Sequence, residues 1–190
     1  MQILDQTIVL RDMQKEDIED YVYWFTKKKE WQAFDAPWEN TETCEADERK
    51  SWTEYYDSLQ NLKETTLRQR LEIEYQGKHI GWVCSYLLDD SYEWISPEEH
   101  PKIERRAIGI DICENEFWSK GIGTAALKIF MNYHLNMGYQ ELYTQTWSGN
   151  VAMIKTAFKL GFQICSTKKN VREVDGKRYD ALTFIYQKKS

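Results

Sequence analysis

Proline, histidine and long apolar runs are all scarce in this chain of 190 residues, which holds three prolines and three histidines. There is no Gly/Ser-rich linker, no low-complexity stretch and no self-similar period, so residues 1–190 are expected to form a single domain. The longest apolar stretch, HIGWVCSYLL at 79–88, is too short to span a bilayer, and no membrane partner is expected. The opening MQILDQTIVLRD lacks a basic segment ahead of its apolar residues, which reads as an unexported, cytoplasmic protein. Cys44, Cys84, Cys113 and Cys165 form no CxxC pair, and His79, His100 and His134 stand at no ligand-like spacing from them. No metal is therefore expected, and scattered cysteines suit reduced thiols in a cytoplasm.

What the chain does contain is aromatic and charged. Hydrophobic residues make up 42% and aromatics 14%, with eight Trp and twelve Tyr, too apolar a mixture for a disordered chain. Charge is unevenly spread: residues 1–99 carry a net −12 and residues 100–190 a net +6. The acidic half favours a cationic partner and the basic half an anionic one, unless both are solvated surface. The total of −6 argues against nucleic acid. Oligomeric state is left open, a homodimer included.

Periodicity gives a coarse order. TIVLRDM (7–13) reads as a strand, QKEDIEDYVYWF as a helix with Ile18, Tyr21, Val22 and Phe25 on one side, and EADERKSWTEYYDSLQ as a second helix. Alternation on both sides of Gln76-Gly77-Lys78 predicts an antiparallel hairpin, followed by an acidic loop from Asp89 to about His100. RAIGIDIC (106–113) is a strand with Ile108, Ile110 and Ile112 on one face and Ala107, Gly109, Asp111 and Cys113 on the other. A helix from Ile122 to Gly138, a strand QELYTQTW, a helix ended by Gly161 and a hairpin turning at Asp175-Gly176 complete the chain. The expected fold class is α/β (α+β): one mixed, mostly antiparallel twisted sheet flanked by helices.

The stretch FWSKGIGTAALK (117–128) is a glycine-bearing turn running into a helix. Such a turn gathers unpaired N–H groups at the positive end of the helix dipole and suits phosphate. GIGTAA at 121–126 formally matches a dinucleotide fingerprint, but it does not follow the first strand and too few βα units come after it. No GxxxxGK[ST] occurs, which excludes a P-loop. A turn for the pyrophosphate of coenzyme A remains.

On these residues the sequence resembles the GNAT N-acetyltransferase superfamily. That family's [QR]xxGx[GA] signature, between the fourth strand and third helix, is matched by Trp118-Ser119-Lys120-Gly121-Ile122-Gly123, with Trp118 departing from Gln or Arg. WSKGIGT (118–124) resembles the branch that includes aminoglycoside 6'-N-acetyltransferases and ribosomal-protein or polyamine acetyltransferases. A second family motif is matched by SGNVAMIKTAFKLGF (148–162), with Asn150 where the family contacts coenzyme A.

The resemblance implies an acetyl-CoA-dependent N-acetyltransferase in which an amine attacks the thioester directly. It implies cofactor contacts from Ile112, Cys113 and Glu114, a pyrophosphate cradle of N–H groups from Trp118 through Ser119, Lys120, Gly121, Ile122 and Gly123 to Thr124, and charge from Lys120. Asp111, on a face of small side chains, is the candidate general base, with Glu114 second. Many relatives protonate the departing thiolate from a Tyr where this chain has Ala157. Trp31, Phe34, Asp35 and Trp38, together with the acidic loop 89–99, are the candidate walls of a pocket for a small cationic amine. Acylation of a protein N-terminus, and a coenzyme A-binding sensor without turnover, are the alternatives.

Overall fold

A computed structural model of the chain describes residues 1–5, 7–39, 42–96 and 105–188. The N-terminal hairpin pairs β1 (Gln2–Asp5) with β2 (Ile8–Arg11). Helix α1 (Asp17–Thr26), a 3-10 turn (Glu30–Ala33) and α2 (Glu45–Leu59) follow. Next come β3 (Arg70–Tyr75), β4 (Lys78–Leu88), the short β5 (Trp94–Ile95) and β6 (Arg106–Ile112). A 3-10 turn (Asn115–Phe117) leads to α3 (Ile122–Asn136), β7 (Glu141–Trp147), α4 (Val151–Lys159), β8 (Gln163–Val174) and β9 (Lys177–Gln187).

Among the described residues there are nine strands in one sheet, ordered β1-β2-β3-β4-β6-β7-β9-β8, with β5 folded back on β4. Every pairing is antiparallel except β6 with β7. The expected mixed, mostly antiparallel sheet with flanking helices is thus present. The hairpin turns form where expected, with Gln76-Gly77 (φ 52° and 78°) and Asp175-Gly176 (φ 48° and 72°) in the left-handed pairs that match strand twist.

Three differences have local causes. Strand β1 has no strong alternation of its own and is held by pairing to β2. Helix α1 starts at Asp17 rather than at Gln14, because the Asp17 carboxylate accepts the Gln14 N–H (2.7 Å) and two bonds from Arg11 (2.6 and 2.8 Å), closing a turn ahead of the helix. The acidic loop is shorter than its charge suggests: Asp89 Oδ1 accepts the N–H groups of Ser91 and Glu93, returning the chain to β5. Its remainder, residues 97–100 with His100, lies outside the described residues.

The strand pattern divides the side chains between two faces. On the α3/α4 face Leu10, Leu71, Ile73, Ile80, Val83, Ile108, Leu127, Phe130, Leu142 and Phe184 are fully buried in one apolar cluster. Each such side chain contributes about 1.5–3 kcal/mol relative to exposure. The α1/α2 face is aromatic and ionic. Trp24, Trp31 and Trp82 pack with Tyr21, Val22 and Cys113, and beside them runs a chain of charges. His79 lies between Asp20 (2.8 Å) and Glu72 (3.0 Å), and Glu72 accepts from the Tyr21 hydroxyl (2.6 Å). Burial pulls the His79 pKa down, but the two carboxylate hydrogen bonds overcome it and push it up to about 9. Asp17, Asp20 and His79 approach closely enough to hold an ion, yet Arg11 and the imidazolium already compensate these carboxylates.

Candidate active site

Strand β6 pairs with β4 along its length, from Gly81↔Ile112 to Leu87↔Arg106, but bridges β7 at Ala107↔Tyr143 alone. Past the Thr144 hydroxyl, which donates to the Ile108 carbonyl (2.8 Å), the two strands part. Main-chain groups alternate sides along a strand, so Ile108, Ile110 and Ile112 present theirs to this wedge. The Ile112 carbonyl is already used: the Trp118 indole N–H donates to it at 2.7 Å. Ile110 and the Ile112 N–H are what remain for a ligand lying in the wedge.

Cys113 does not share that role. Its N–H donates to the Ile80 carbonyl on β4 (2.9 Å) and its side chain is buried, so it faces away from the wedge. The expectation for Cys113 is corrected on that ground.

At the wide end of the wedge stands the glycine turn. The Trp118 N–H, expected to join the cradle, instead donates to Asn115 (3.1 Å). The first bond into α3 is Ala125 N–H to the Gly121 carbonyl (3.0 Å), and the six amides from Ser119 to Thr124 make no hydrogen bond among the described residues. Ser119 (φ 60°) and Gly121 (φ 80°) take left-handed conformations that turn successive amides toward one side. A Cβ on Gly121 would meet nothing within 4 Å, whereas one on Gly123 would lie 3.3 Å from Ile112 Cδ1. Gly121 serves the turn; Gly123 lets the helix close on β6. No acidic residue occupies the first turn of α3, and Lys120 is exposed beside it. The Thr124 hydroxyl lies 3.1 Å from that of Thr156, tying α3 to α4.

On the α1/α2 face, Arg70, Cys84 and Gly109 form one cross-strand row and Glu72, Trp82 and Asp111 the next. Arg70, Cys84, Tyr86, Gly109 and Asp111 are half-buried although they lie on inner strands, so the floor here is open rather than packed. Burial raises the Asp111 pKa well above the carboxylate range and the charge of Asp35 raises it further; Arg70 and a hydrogen bond from Trp82 work the other way. Asp35 is open to water yet walled by protein, so desolvation first, then the charge of Glu39, raises its carboxyl. Gly81, at φ 150°, faces the Asp111 backbone so closely that a Cβ there would lie 2.0 Å from its carbonyl oxygen.

The other expected residues divide. Glu114 is not available as a base: it accepts from Trp24 (2.9 Å), Lys28 (2.6 Å) and Lys78 (3.1 Å), and these bonds overcome burial to hold its pKa below the ordinary range. Trp31 is core, not pocket wall, with 5% of its surface exposed and its indole donating to the Trp24 carbonyl. Trp38 has a cation already, Arg172 at 4.6 Å from its ring, and packs on Trp147. Asn150 caps α4 by accepting from Met153 and donates to the Phe34 carbonyl (2.6 Å), so both ends of its amide are engaged. The Phe34 carbonyl also accepts from Trp147, and its ring packs edge-on against Trp118. Phe34 thereby links the turn before α3 to the end of β7 and the start of α4. Asp35 lies close enough to Asp111 for its charge to act on that carboxyl.

Sequence reasoning missed Arg70 and Tyr86. The alternation of β3 and β4 places them on the Asp111 face, and that was the available signal.

The acetyltransferase (GNAT) domain model matches residues 7–163. No curated protein sequence matches significantly. Among solved structures, a ribosomal L7/L12 alpha-N-protein acetyltransferase in complex with coenzyme A is 17% identical with a TM-score of 0.74, over 99% of this chain and 98% of that one. A ribosomal-protein-S5-alanine acetyltransferase from Vibrio fischeri is 16% identical with a TM-score of 0.73, over 98% and 96%. A putative acetyltransferase from Salmonella typhimurium with its cofactor acetyl-CoA is 16% identical with a TM-score of 0.67, over 96% and 94%. At these identities the structures speak to the fold, while the domain model spans most of the sequence. The wedge, the amide turn and the matched domain together put this chain in the GNAT acetyltransferase family.

Proposed function

We propose that the protein is an acetyl-CoA-dependent N-acetyltransferase acting on a primary amine of a small acceptor that arrives as a cation. The observation that carries this reading is the run of six amides, Ser119 to Thr124, that make no hydrogen bond among the described residues at the wide end of the β6/β7 wedge. These amides fit a diphosphate, with Lys120 adding charge, and Ile110 and Ile112 offer main-chain partners to an amide-bearing arm in the wedge. Acetyl-CoA supplies the activated acetyl group; the chain's part is to hold it, orient the amine and move protons.

Asp111 is the residue suited to take the ammonium proton. A carboxylate with a raised pKa is a stronger base than one in water, and the open floor beside Gly109 leaves room for an amine next to it. Asp35, nearer the surface, supplies a second negative charge that favours a cation at the mouth.

The test is release of free thiol from acetyl-CoA with a panel of small amines and N-terminal peptides. Turnover with small amines is expected. Turnover with peptides alone would move the acceptor to a protein N-terminus, and tight acetyl-CoA binding with no turnover would leave a sensor.

A further inference from the structure

We propose that Arg70 recognises an anionic group of the acceptor, so that the acceptor is an amine bearing a carboxylate, of the amino-acid class. This rests on the acetyltransferase reading above and narrows its cationic acceptor to a zwitterionic one.

The guanidinium of Arg70 is held in an aromatic box, 4.2 Å from the Trp82 ring, 4.8 Å from Trp52 and 4.9 Å from Tyr21. Its Nε and Nη2 both donate to the Tyr21 hydroxyl, at 3.0 and 2.7 Å. Nη1 makes no hydrogen bond among the described residues. Among the described residues the anion within 4.0 Å is Glu72, 3.8 Å from Nε, and Glu72 already accepts from Tyr21 and lies 3.0 Å from His79. The neighbouring cations are better served. Arg11 has both oxygens of Asp17 and also Glu74, and His79 has Asp20 besides Glu72. Arg70 is thus a largely buried cation hydrogen-bonded to a neutral hydroxyl, with Glu72 at 3.8 Å and the charge of Asp111 within reach but no carboxylate hydrogen-bonded to it among the described residues, an arrangement that a further anion would complete.

Its position says where that anion comes from. In the row Arg70, Cys84, Gly109, the short side chain of Cys84 lies between the arginine and Gly109, beside the Tyr86 ring. Two strand spacings, roughly 10 Å of backbone, separate Arg70 from the strand that carries Asp111, and the arginine side chain reaches across much of that. One small molecule can therefore set an ammonium beside Asp111 and a carboxylate against Arg70. The surrounding rings fix the orientation of the planar guanidinium, which suits two-point recognition of a carboxylate.

The experiment compares matched acceptors, amino acids and their carboxamides, in the thiol-release assay with the wild type, Arg70→Gln and Arg70→Lys. The readout is the ratio of kcat/KM for carboxylate over carboxamide, relative to the wild-type ratio, which cancels differences in amine basicity. Arg70→Gln is expected to lower that ratio at least tenfold and Arg70→Lys to lower it less, the latter covering a folding defect in the neutral variant. An unchanged ratio, or a wild type that prefers diamines lacking a carboxylate, would overturn the inference. If no amine supports turnover, the acetyltransferase reading fails by itself. Thermal stabilisation of the coenzyme A complex by the amino acid then still reports on Arg70, because it should vanish in Arg70→Gln but not in the wild type.

Discussion

The two faces of the sheet are built on different principles. Against α3 and α4 the contacts are almost all apolar, with Phe130, Leu127 and Ile108 at zero exposure, and the amide turn is the polar feature at its edge. Against α1 and α2 the sheet meets stacked aromatics threaded by Arg11, Asp17, His79, Glu72, Tyr21 and Arg70. An apolar face tolerates no specific partner and sets the fold. A face of paired charges fixes distances and directions, which is what an acceptor site requires.

Truncating the apolar face should give the largest loss. Phe130→Ala is expected to cost about 3–5 kcal/mol in denaturant unfolding, since a fully buried ring leaves a cavity. An effect under about 1 kcal/mol would mean that this face is not the stabilising one.

Next comes the turn at that face's edge. Gly121→Asp should weaken acetyl-CoA binding about a hundredfold or more, because a carboxylate meets the diphosphate, while the strain of a side chain at φ 80° costs the fold only about 1–2 kcal/mol. Equilibrium binding by calorimetry would read it, and undiminished affinity would remove the turn from the cofactor site.

On the charged face, Asp111→Asn should lower kcat about a hundredfold and abolish the acidic limb of the pH profile, with acetyl-CoA affinity retained. A profile identical to the wild type would take Asp111 out of the mechanism.

Tyr21→Phe should cost about 1–3 kcal/mol, although it removes a single oxygen, because Glu72 and Arg70 both lose a buried partner. Two-state unfolding curves of the variant and wild type measure that difference.

The charged face also carries a dependence on pH. His79 has a folded pKa of about 9 against an ordinary value near 6.5, so its contribution is fully present below about 6.5 and is lost as pH rises through 9. The stability advantage of wild type over His79→Gln should therefore shrink between pH 6 and 9.5. A constant gap would show that the ring is neutral throughout.

Legibility in the sequence followed the same division. The isoleucines of β6, the turns at Gly77 and Gly176 and the motif from Trp118 to Thr124 are local patterns, and each formed where its spacing placed it. The roles that went astray depend on partners far along the chain. Glu114 reads as a free acid beside the candidate base until Trp24 and Lys28, 90 and 86 positions away, reach it. Trp31 sits in an aromatic segment without period, and nothing local distinguishes a core indole from a pocket wall. Cys113 and the Trp118 amide failed for a subtler reason: motif matching names a residue, while the direction of its N–H depends on strand parity and on the 3-10 turn before it.

The absent side chain of Gly81 has a consequence for evolution at this site. The carbonyl of Asp111 lies where a single methyl group would stand, so the seating of β6 against β4 at this point is set by an atom that is missing. Any replacement at 81 must push the Asp111–Ile112 backbone away from β4.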